Sequence, residues 1–175
     1  MGGASAIVQL LLDRGADIHA VMAPSSDGED PDEHWGTPLH QAAWGGESGA
    51  VDTVKVLLDN GAEVNATTKD SFTPLHRAVQ YIHMGTQHAP KDPRDLVLTL
   101  LDRGADLRAR TSSGQTPADI ATEHGYEEAA EMLRAAATNL ARREAFGMGH
   151  HERLGAASAI LELEAGVVRM VLDLM

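Results

Sequence analysis

Residues 35–66 read WGTPLHQAAWGGESGAVDTVKVLLDNGAEVNA, and this stretch decides the fold. Thr37 offers a hydroxyl to cap a helix, and Pro38 stands at the first helical position, where a missing N–H costs nothing. A glycine-rich break separates this short apolar helix from a second one over residues 51–58. Gly61 follows where a left-handed residue commonly ends a helix. The stretch predicts two short helices and an extended close.

The same start and stop signals recur on both sides of this stretch. Thr73-Pro74-Leu75-His76 repeats the start, and Gly114-Gln115-Thr116-Pro117 opens a further copy. The close recurs as LLDRGADI at residues 11–18 and as LLDRGADL at residues 100–107. Two short helices cannot bury both of their apolar faces alone, so the recurrence predicts stacked units that shield one another.

With these residues the chain resembles the ankyrin repeat family, whose unit has a TPLH-type start, two antiparallel helices and a GAD-type close over ~33 residues. The resemblance implies an all-α solenoid of helix-turn-helix units with β-hairpin connections and a helical C-terminal extension. We expect a partial, second-helix repeat at 1–20, an acidic loop insertion at 21–34, repeats at 35–66, 67–110 and 111–136, and the extension at 137–175.

The spacing of the copies departs from the family's period. The threonines that open the three starts lie 36 and 43 residues apart, against the ~33 residues of the family. The extra residues predict a small expansion at 44–48 and a long loop between helices at 81–94, where glycine and proline argue against helix. The first unit has no TPLH start, which leaves two interpretations open: a fragment, or a degenerate N-terminal cap.

Composition and charge restrict the classes of function. The chain has 175 residues, of which 43% are apolar but only 3% aromatic, as suits a core of small stacked helices. Its net charge of −12 disfavours nucleic acid and anionic membranes and favours a basic protein or peptide. No cysteine is present, so disulfides and thiol chemistry are excluded. No signal peptide or apolar span of ~20 residues is visible, which predicts a cytoplasmic location, with the nucleus as the alternative.

The candidate binding surface follows from the family, whose partners usually contact hairpin tips, first helices and the turns between helices. Aromatic and arginine side chains dominate interface energies, and this chain has few aromatics. The alternative is that Phe72 and Trp35 pack over neighbouring hairpins and that Trp44 closes the turn between helices. The predicted partner-binding residues are Trp35, Trp44, Phe72, Arg77, Gln80, Tyr81, Ser112 and Glu123.

Catalytic, metal and cofactor sites are not predicted. His40 and His76 occupy the TPLH position, where the family uses the imidazole to tie a helix start to neighbouring backbone. His83 and His88 in the long loop lack a firm third zinc ligand. The acidic stretch at 25–33 does not match a calcium-binding loop and is interpreted as a solvated loop or as an attractor for a basic peptide. We therefore expect a non-enzymatic protein without cofactors.

The C-terminal extension is the part that the repeats do not explain. Apolar residues recur at helical spacing at Leu163, Val167, Met170, Val171 and Leu174 and predict an amphipathic helix. One interpretation is a helical cap folded on the final repeat. The other is an adaptor-binding box, because repeats followed by a short helical box resemble substrate receptors of cullin-type ubiquitin ligases. The main prediction is a monomeric protein-binding module, with the ligase receptor as the alternative.

Overall fold

The computed structural model describes residues 3–21, 36–44, 49–82 and 93–145. Trp35, the acidic insertion, the loop histidines and residues 146–175 lie outside the described residues, as does the side chain of Tyr81. No helix in the described ranges is long and apolar enough to cross a bilayer. The helices are α1 Gly3–Asp13, α2 Pro38–Trp44, α3 Ala50–Asp59, α4 Pro74–Ile82, α5 Pro93–Asp102, α6 Pro117–Glu123 and α7 Glu127–Ala145.

A proline opens each helix that follows a start signal. Pro38, Pro74 and Pro117 are the first residues of α2, α4 and α6. Pro93 likewise opens α5, because a proline at the first helical position loses no hydrogen bond. The two flanking helices therefore extend into the range 81–94 that was expected to be loop. Residues 81–82 still belong to α4 and residues 93–94 already belong to α5.

Each of the three Gly-Ala closes begins with a glycine in the left-handed conformation. Gly15, Gly61 and Gly104 have φ values of 86°, 93° and 87°, in the region that side chains with a Cβ rarely adopt. At the middle stop the N–H of Ala62 donates to the carbonyl of Leu57 over 2.9 Å. This bond satisfies a carbonyl that the end of α3 would otherwise leave unpaired.

The helices stack in two layers. In the first-helix layer α2 packs on α4 and α4 on α6, and in the second-helix layer α1 packs on α3 and α3 on α5. The pairs α2–α3, α4–α5 and α6–α7 join the layers. The core lies between them and consists of leucine, valine, isoleucine and alanine, as the composition predicts; its fully buried leucines are Leu39, Leu57, Leu75, Leu96, Leu100, Leu101 and Leu133.

Tight turns connect the helix pairs. The N–H of Thr68 donates to the carbonyl of Phe72, and the N–H of Thr111 donates to the carbonyl of Gln115, each over 2.9 Å. The N–H of Ser112 donates to the carbonyl of Asp70, so the two connectors are joined. The regular secondary structure of the described residues is helical, as expected for a helical solenoid. The β-hairpin detail is not confirmed, since these connectors carry no assigned strand.

The last described helix is longer than a repeat requires. Leu133 and Ala136 are buried against the stack, and the helix continues without interruption to Ala145. Its first turn carries Glu127 and Glu128, which suit the positive end of a helix dipole. The extension therefore begins as a continuation of α7.

Candidate functional site

An arginine stacked between two aromatic rings forms the centre of the candidate site. The Cζ atom of Arg77 lies 4.4 Å from the centroid of the Trp44 ring and 5.7 Å from that of Phe72. Both distances fall within the ~6 Å at which a guanidinium is attracted to a ring face. Arg77 is only 5% exposed, and its Nη1 donates to Oε1 of Gln80 over 3.2 Å. We call Trp44, Phe72, Arg77 and Gln80 the aromatic–arginine cluster.

Three consecutive elements bring the cluster together. Trp44 is the last residue of α2, Arg77 and Gln80 lie on α4, and Phe72 lies in the connector before α4. Packing of α2 on α4 places the end of one helix against the face of the other. The cluster therefore spans two neighbouring units, so its geometry depends on the stacking of both.

His40 holds the backbone of Phe72 in place. The Nε2 atom of His40 lies 3.1 Å from the carbonyl oxygen of Phe72. The Nδ1 atom accepts from the N–H of Thr37 over 3.1 Å. Because Nδ1 accepts a backbone N–H, the proton of a neutral ring belongs on Nε2, which donates to Phe72. The Phe72 ring in turn lies 5.6 Å from the His76 ring, tilted by 58°.

His76 makes the same tie one unit further along. Its Nε2 lies 3.2 Å from the carbonyl oxygen of Gln115, and its Nδ1 accepts from the N–H of Thr73 over 3.1 Å. Burial lowers the pKa of both His40 and His76, and the backbone hydrogen bonds to Phe72 and Gln115 oppose that shift only in part. Each ring is therefore neutral and acts as a structural link, as the TPLH interpretation predicts.

Asp119 takes the place of this histidine in the α6 start. Its carboxylate accepts from the N–H of Thr116 over 2.9 Å, and its own N–H donates to the Thr116 hydroxyl. These reciprocal bonds form a capping box. The bonds that the Thr116 N–H and hydroxyl donate to the carboxylate lower the pKa of Asp119. Aspartate is too short to reach a further connector, so it caps its own helix only.

The cluster combines a buried cation with partly exposed side chains. Trp44, Phe72 and Gln80 are partly exposed, whereas Arg77 is buried beneath them. A buried guanidinium that stacks on both rings fixes their orientation. Rings that are already ordered lose little further conformational entropy when a partner binds. Within the described ranges no group of three or more His, Cys, Asp or Glu side chains is placed to hold a metal ion.

The remaining predicted residues lie at other places. Ser112 is exposed in the connector before α6, where its N–H is bound to Asp70. Glu123 is exposed at the end of α6 and accepts from Nε2 of Gln115. The backbone of Tyr81 continues α4 one residue beyond Gln80. Trp35 lies outside the described residues. The structure thus brings four of the eight predicted residues into one cluster.

The sequence did not predict a hydrogen-bonded link between the closing segments of two neighbouring units, which the Asn65 side chain makes. The side chain of Asn65 donates to the carbonyl of Gly104 over 3.0 Å and accepts from the N–H of Asp106 over 2.8 Å. Asn65 ends the sequence GAEVN at residues 61–65, and its partners lie in the next close, 39 and 41 residues away. Asn65 therefore acts as a structural link between units.

Comparison with known protein families agrees with this architecture. A family profile described as "Ankyrin repeats (3 copies)" matches residues 1–107, more than half of the chain. The chain belongs to the ankyrin repeat family. The ankyrin match covers α1 to α5, while the pair α6–α7 extends the same stack beyond it. Ankyrin repeats are generally non-enzymatic modules for protein–protein interaction.

Individual ankyrin proteins are similar over shorter stretches. Human Rabankyrin-5 is 40% identical over 76 residues, which cover 42% of this chain and 6% of that protein. A putative ankyrin repeat protein of Fowlpox virus, FPV223, is 49% identical over 43 residues, or 25% of this chain and 28% of that protein. A putative ankyrin repeat protein of Rickettsia bellii is 51% identical over 43 residues, which cover 25% of this chain and 17% of that protein. The chain thus spans less than a third of the length of each of these relatives.

Proposed function

We propose that this chain is a non-enzymatic binding module that presents the aromatic–arginine cluster to a protein or peptide. The observation that carries the proposal is the stacking of Arg77 between Trp44 and Phe72. In the ankyrin family this side of the first helices belongs to the concave binding surface. Tryptophan and arginine are the residues most enriched among those that dominate binding energy.

Rigid presentation is the mechanism that the contacts support. Arg77 is held by two rings and by Gln80, and the Phe72 backbone is held by His40. Side chains that are ordered before binding lose little conformational entropy when a partner docks. The exposed parts of Trp44 and Gln80 then provide contact area whose geometry is already set.

A basic partner is favoured by charge. The chain carries 26 acidic and 14 basic side chains, a net charge of −12. Such a field accelerates encounter with positively charged partners and repels nucleic acid and anionic membranes. We expect the module to act as a monomer in the cytoplasm, and we expect association to slow as salt screens the field.

The test is quantitative capture of partners from lysate with matched single variants. Trp44→Ala removes the partly exposed ring, and Lys55→Ala changes an exposed side chain of α3, in the other layer. Partners of the cluster should be retained by the wild type and by Lys55→Ala and lost, by about ten-fold or more in affinity, with Trp44→Ala. Circular dichroism of each variant checks that it remains folded.

Two outcomes would contradict the proposal. If Trp44→Ala retains the same partners as the wild type, the cluster is not a binding surface. If Trp44→Ala unfolds the chain, the ring belongs to the core and its assignment to a surface was wrong. A gradual loss of binding with rising salt would separately support a basic partner, whereas salt-independent binding would refute that part of the proposal.

The alternative is a substrate receptor of a cullin-type ubiquitin ligase, with the C-terminal extension as adaptor-binding box. It rests on the order of repeats and tail in the sequence, and the apolar stripe of the tail lies outside the described residues. Replacing Val167 and Val171 by aspartate in the full chain tests it. Capture of cullin adaptors by the wild type but not by this variant would support it, and their absence from both would end it.

A further inference from the structure

An open apolar groove lies at the α1 end of the stack. It has a volume of about 480 Å³ and is lined by α1, α2 and α3 through residues that include Val8, Ala42 and Leu57. In the second-helix layer α1 packs on α3 as α3 packs on α5, but the described residues place no first helix beside α1. The groove therefore lies where the first-helix layer would continue past α2.

Exposed apolar side chains lie on α1, which contributes to one wall of this groove, and on the segment that follows it. On α1, Ile7, Leu10 and Leu11 are 60%, 51% and 52% exposed, and Val21 after it is 67% exposed. Among the described residues Leu140 is the one large apolar side chain exposed elsewhere, at 41%. Within the described ranges the exposed large apolar side chains are thus concentrated at the α1 end. At the α7 end the exposed Glu127, Glu128 and Glu131 make a polar outer face.

The chain itself contains a segment of matching chemistry. Residues 161–174, outside the described part, carry the apolar stripe whose spacing predicts an amphipathic helix. The stripe requires an apolar partner, because isolated short helices are marginal in water and gain their stability from packing. The polar face of α7 does not offer such a partner, and the groove beside α1 does.

The segment between α7 and residue 161 is long enough for residues 161–174 to reach the groove beside α1. Between Ala145, where α7 ends, and residue 161 lie roughly 15 residues, which span up to about 50 Å when extended. Neighbouring helices pack about 8–10 Å apart, so three steps from α7 to α1 cover about 30 Å. The tail can therefore cross the stack without unfolding α7.

We propose that residues 161–174 dock as a helix in the α1–α2–α3 groove of the same chain. The stripe formed by Leu163, Val167, Met170, Val171 and Leu174 covers the exposed face of α1 and the groove beside it. The docked helix takes the place of a first helix against α1 and closes the open end of the first-helix layer. This inference is independent of the binding role of the aromatic–arginine cluster.

Cross-linking in the full chain tests the docking. The chain has no cysteine, so Leu11→Cys with Val167→Cys introduces one unique pair. A short bis-maleimide should join this pair within one chain, with a yield that does not change on dilution, because tethering sets the effective concentration. The control Leu140→Cys with Val167→Cys places the first thiol on the exposed face of α7 and should cross-link poorly.

Three results would overturn the proposal. Efficient cross-linking of the control pair instead would place the tail on the final repeat. Products that join two chains and disappear on dilution would assign the groove to a second copy. If neither pair forms a cross-link, residues 161–174 do not occupy the groove.

Hydrogen exchange provides a second measurement that needs no cysteine. In the full chain, Val167→Asp with Val171→Asp puts charges on the stripe and should release it from the groove. Amides of α1 should then exchange several-fold faster than in the wild type, while those of α6 remain unchanged, because α6 does not line the groove. Unchanged exchange in α1 would contradict docking.

Discussion

The Nε2 atom of His40 lies 3.1 Å from the carbonyl oxygen of Phe72, which is 32 positions further along the chain. This bond ties the start of one repeat to the start of the next. It also fixes the backbone of a residue whose ring stacks on Arg77. The helix-start motif and the candidate binding surface are therefore mechanically connected.

Because His40 and His76 are buried, we expect the free energy of unfolding to fall in mild acid. Burial lowers the pKa of His40 and His76 below 6.5 in the folded chain, whereas unfolding restores the ordinary value. The stability that the neutral rings of His40 and His76 contribute to the fold is fully present above pH 6.5. It is lost as pH falls below that value, because the unfolded state then binds more protons. Urea unfolding between about pH 7.5 and 5.5 measures the slope.

The matched variants assign this slope. His76→Gln should make the dependence on pH shallower, since one of the two buried imidazoles is removed. His19→Gln, which changes an exposed histidine, is the matched control. An equal slope in His76→Gln and the wild type would show that other groups cause the acid sensitivity.

Gly36 is predicted to be intolerant of any side chain. A Cβ at this position would lie 2.5 Å from Cγ and Nδ1 of His40, well inside van der Waals contact. Gly36→Ala should therefore displace the His40 ring and destabilise the fold by about 1–3 kcal/mol, as overpacked cores do. Chemical denaturation measures the change. In the His40→Ala background the same substitution should cost much less, and an undiminished cost would place the clash elsewhere.

Ser71 is predicted to be a site where glycine stabilises the chain. Its φ of 61° lies in the left-handed region, and the corresponding connector position before α6 is Gly114, with φ of 82°. Ser71→Gly should relieve the steric cost of this conformation and raise the free energy of unfolding by about 0.5–1 kcal/mol. The reverse change, Gly114→Ser, should lower it by a similar amount. Thermal unfolding of both variants tests the pair, and a loss of stability in Ser71→Gly would refute the argument.

Leu57 is predicted to be the most sensitive position of α3. It is 2% exposed and packs in the core between the layers. Leu57→Ala should lower the free energy of unfolding by about 2–5 kcal/mol, because it removes buried methyl groups and leaves a cavity. Leu140→Ala, at a side chain that is 41% exposed and lies away from the groove beside α1, is the matched control. Equal losses in the two variants would mean that burial does not set the cost at Leu57.

Much of the fold could be predicted from short stretches. Pro38 and Pro74 begin helices and Gly61 adopts a left-handed conformation, because capping hydrogen bonds and steric limits on φ act within a few residues. The loop predicted at 81–94 was too long, since Pro93 was interpreted as a breaker although proline is equally suited to begin a helix.

What the tertiary structure decided is the arrangement between repeats. The sequence indicated that Trp44, Phe72 and Arg77 share one face, but not that Arg77 would be 5% exposed between two rings. Nor did it indicate that Asn65 would bind the backbone at Gly104 and Asp106. Such contacts depend on the rotation and spacing of stacked helices, which arise from packing of the whole core. Local signals determined where the helices after each Thr-Pro start begin and where the glycine closes lie, and non-local packing determined which side chains meet.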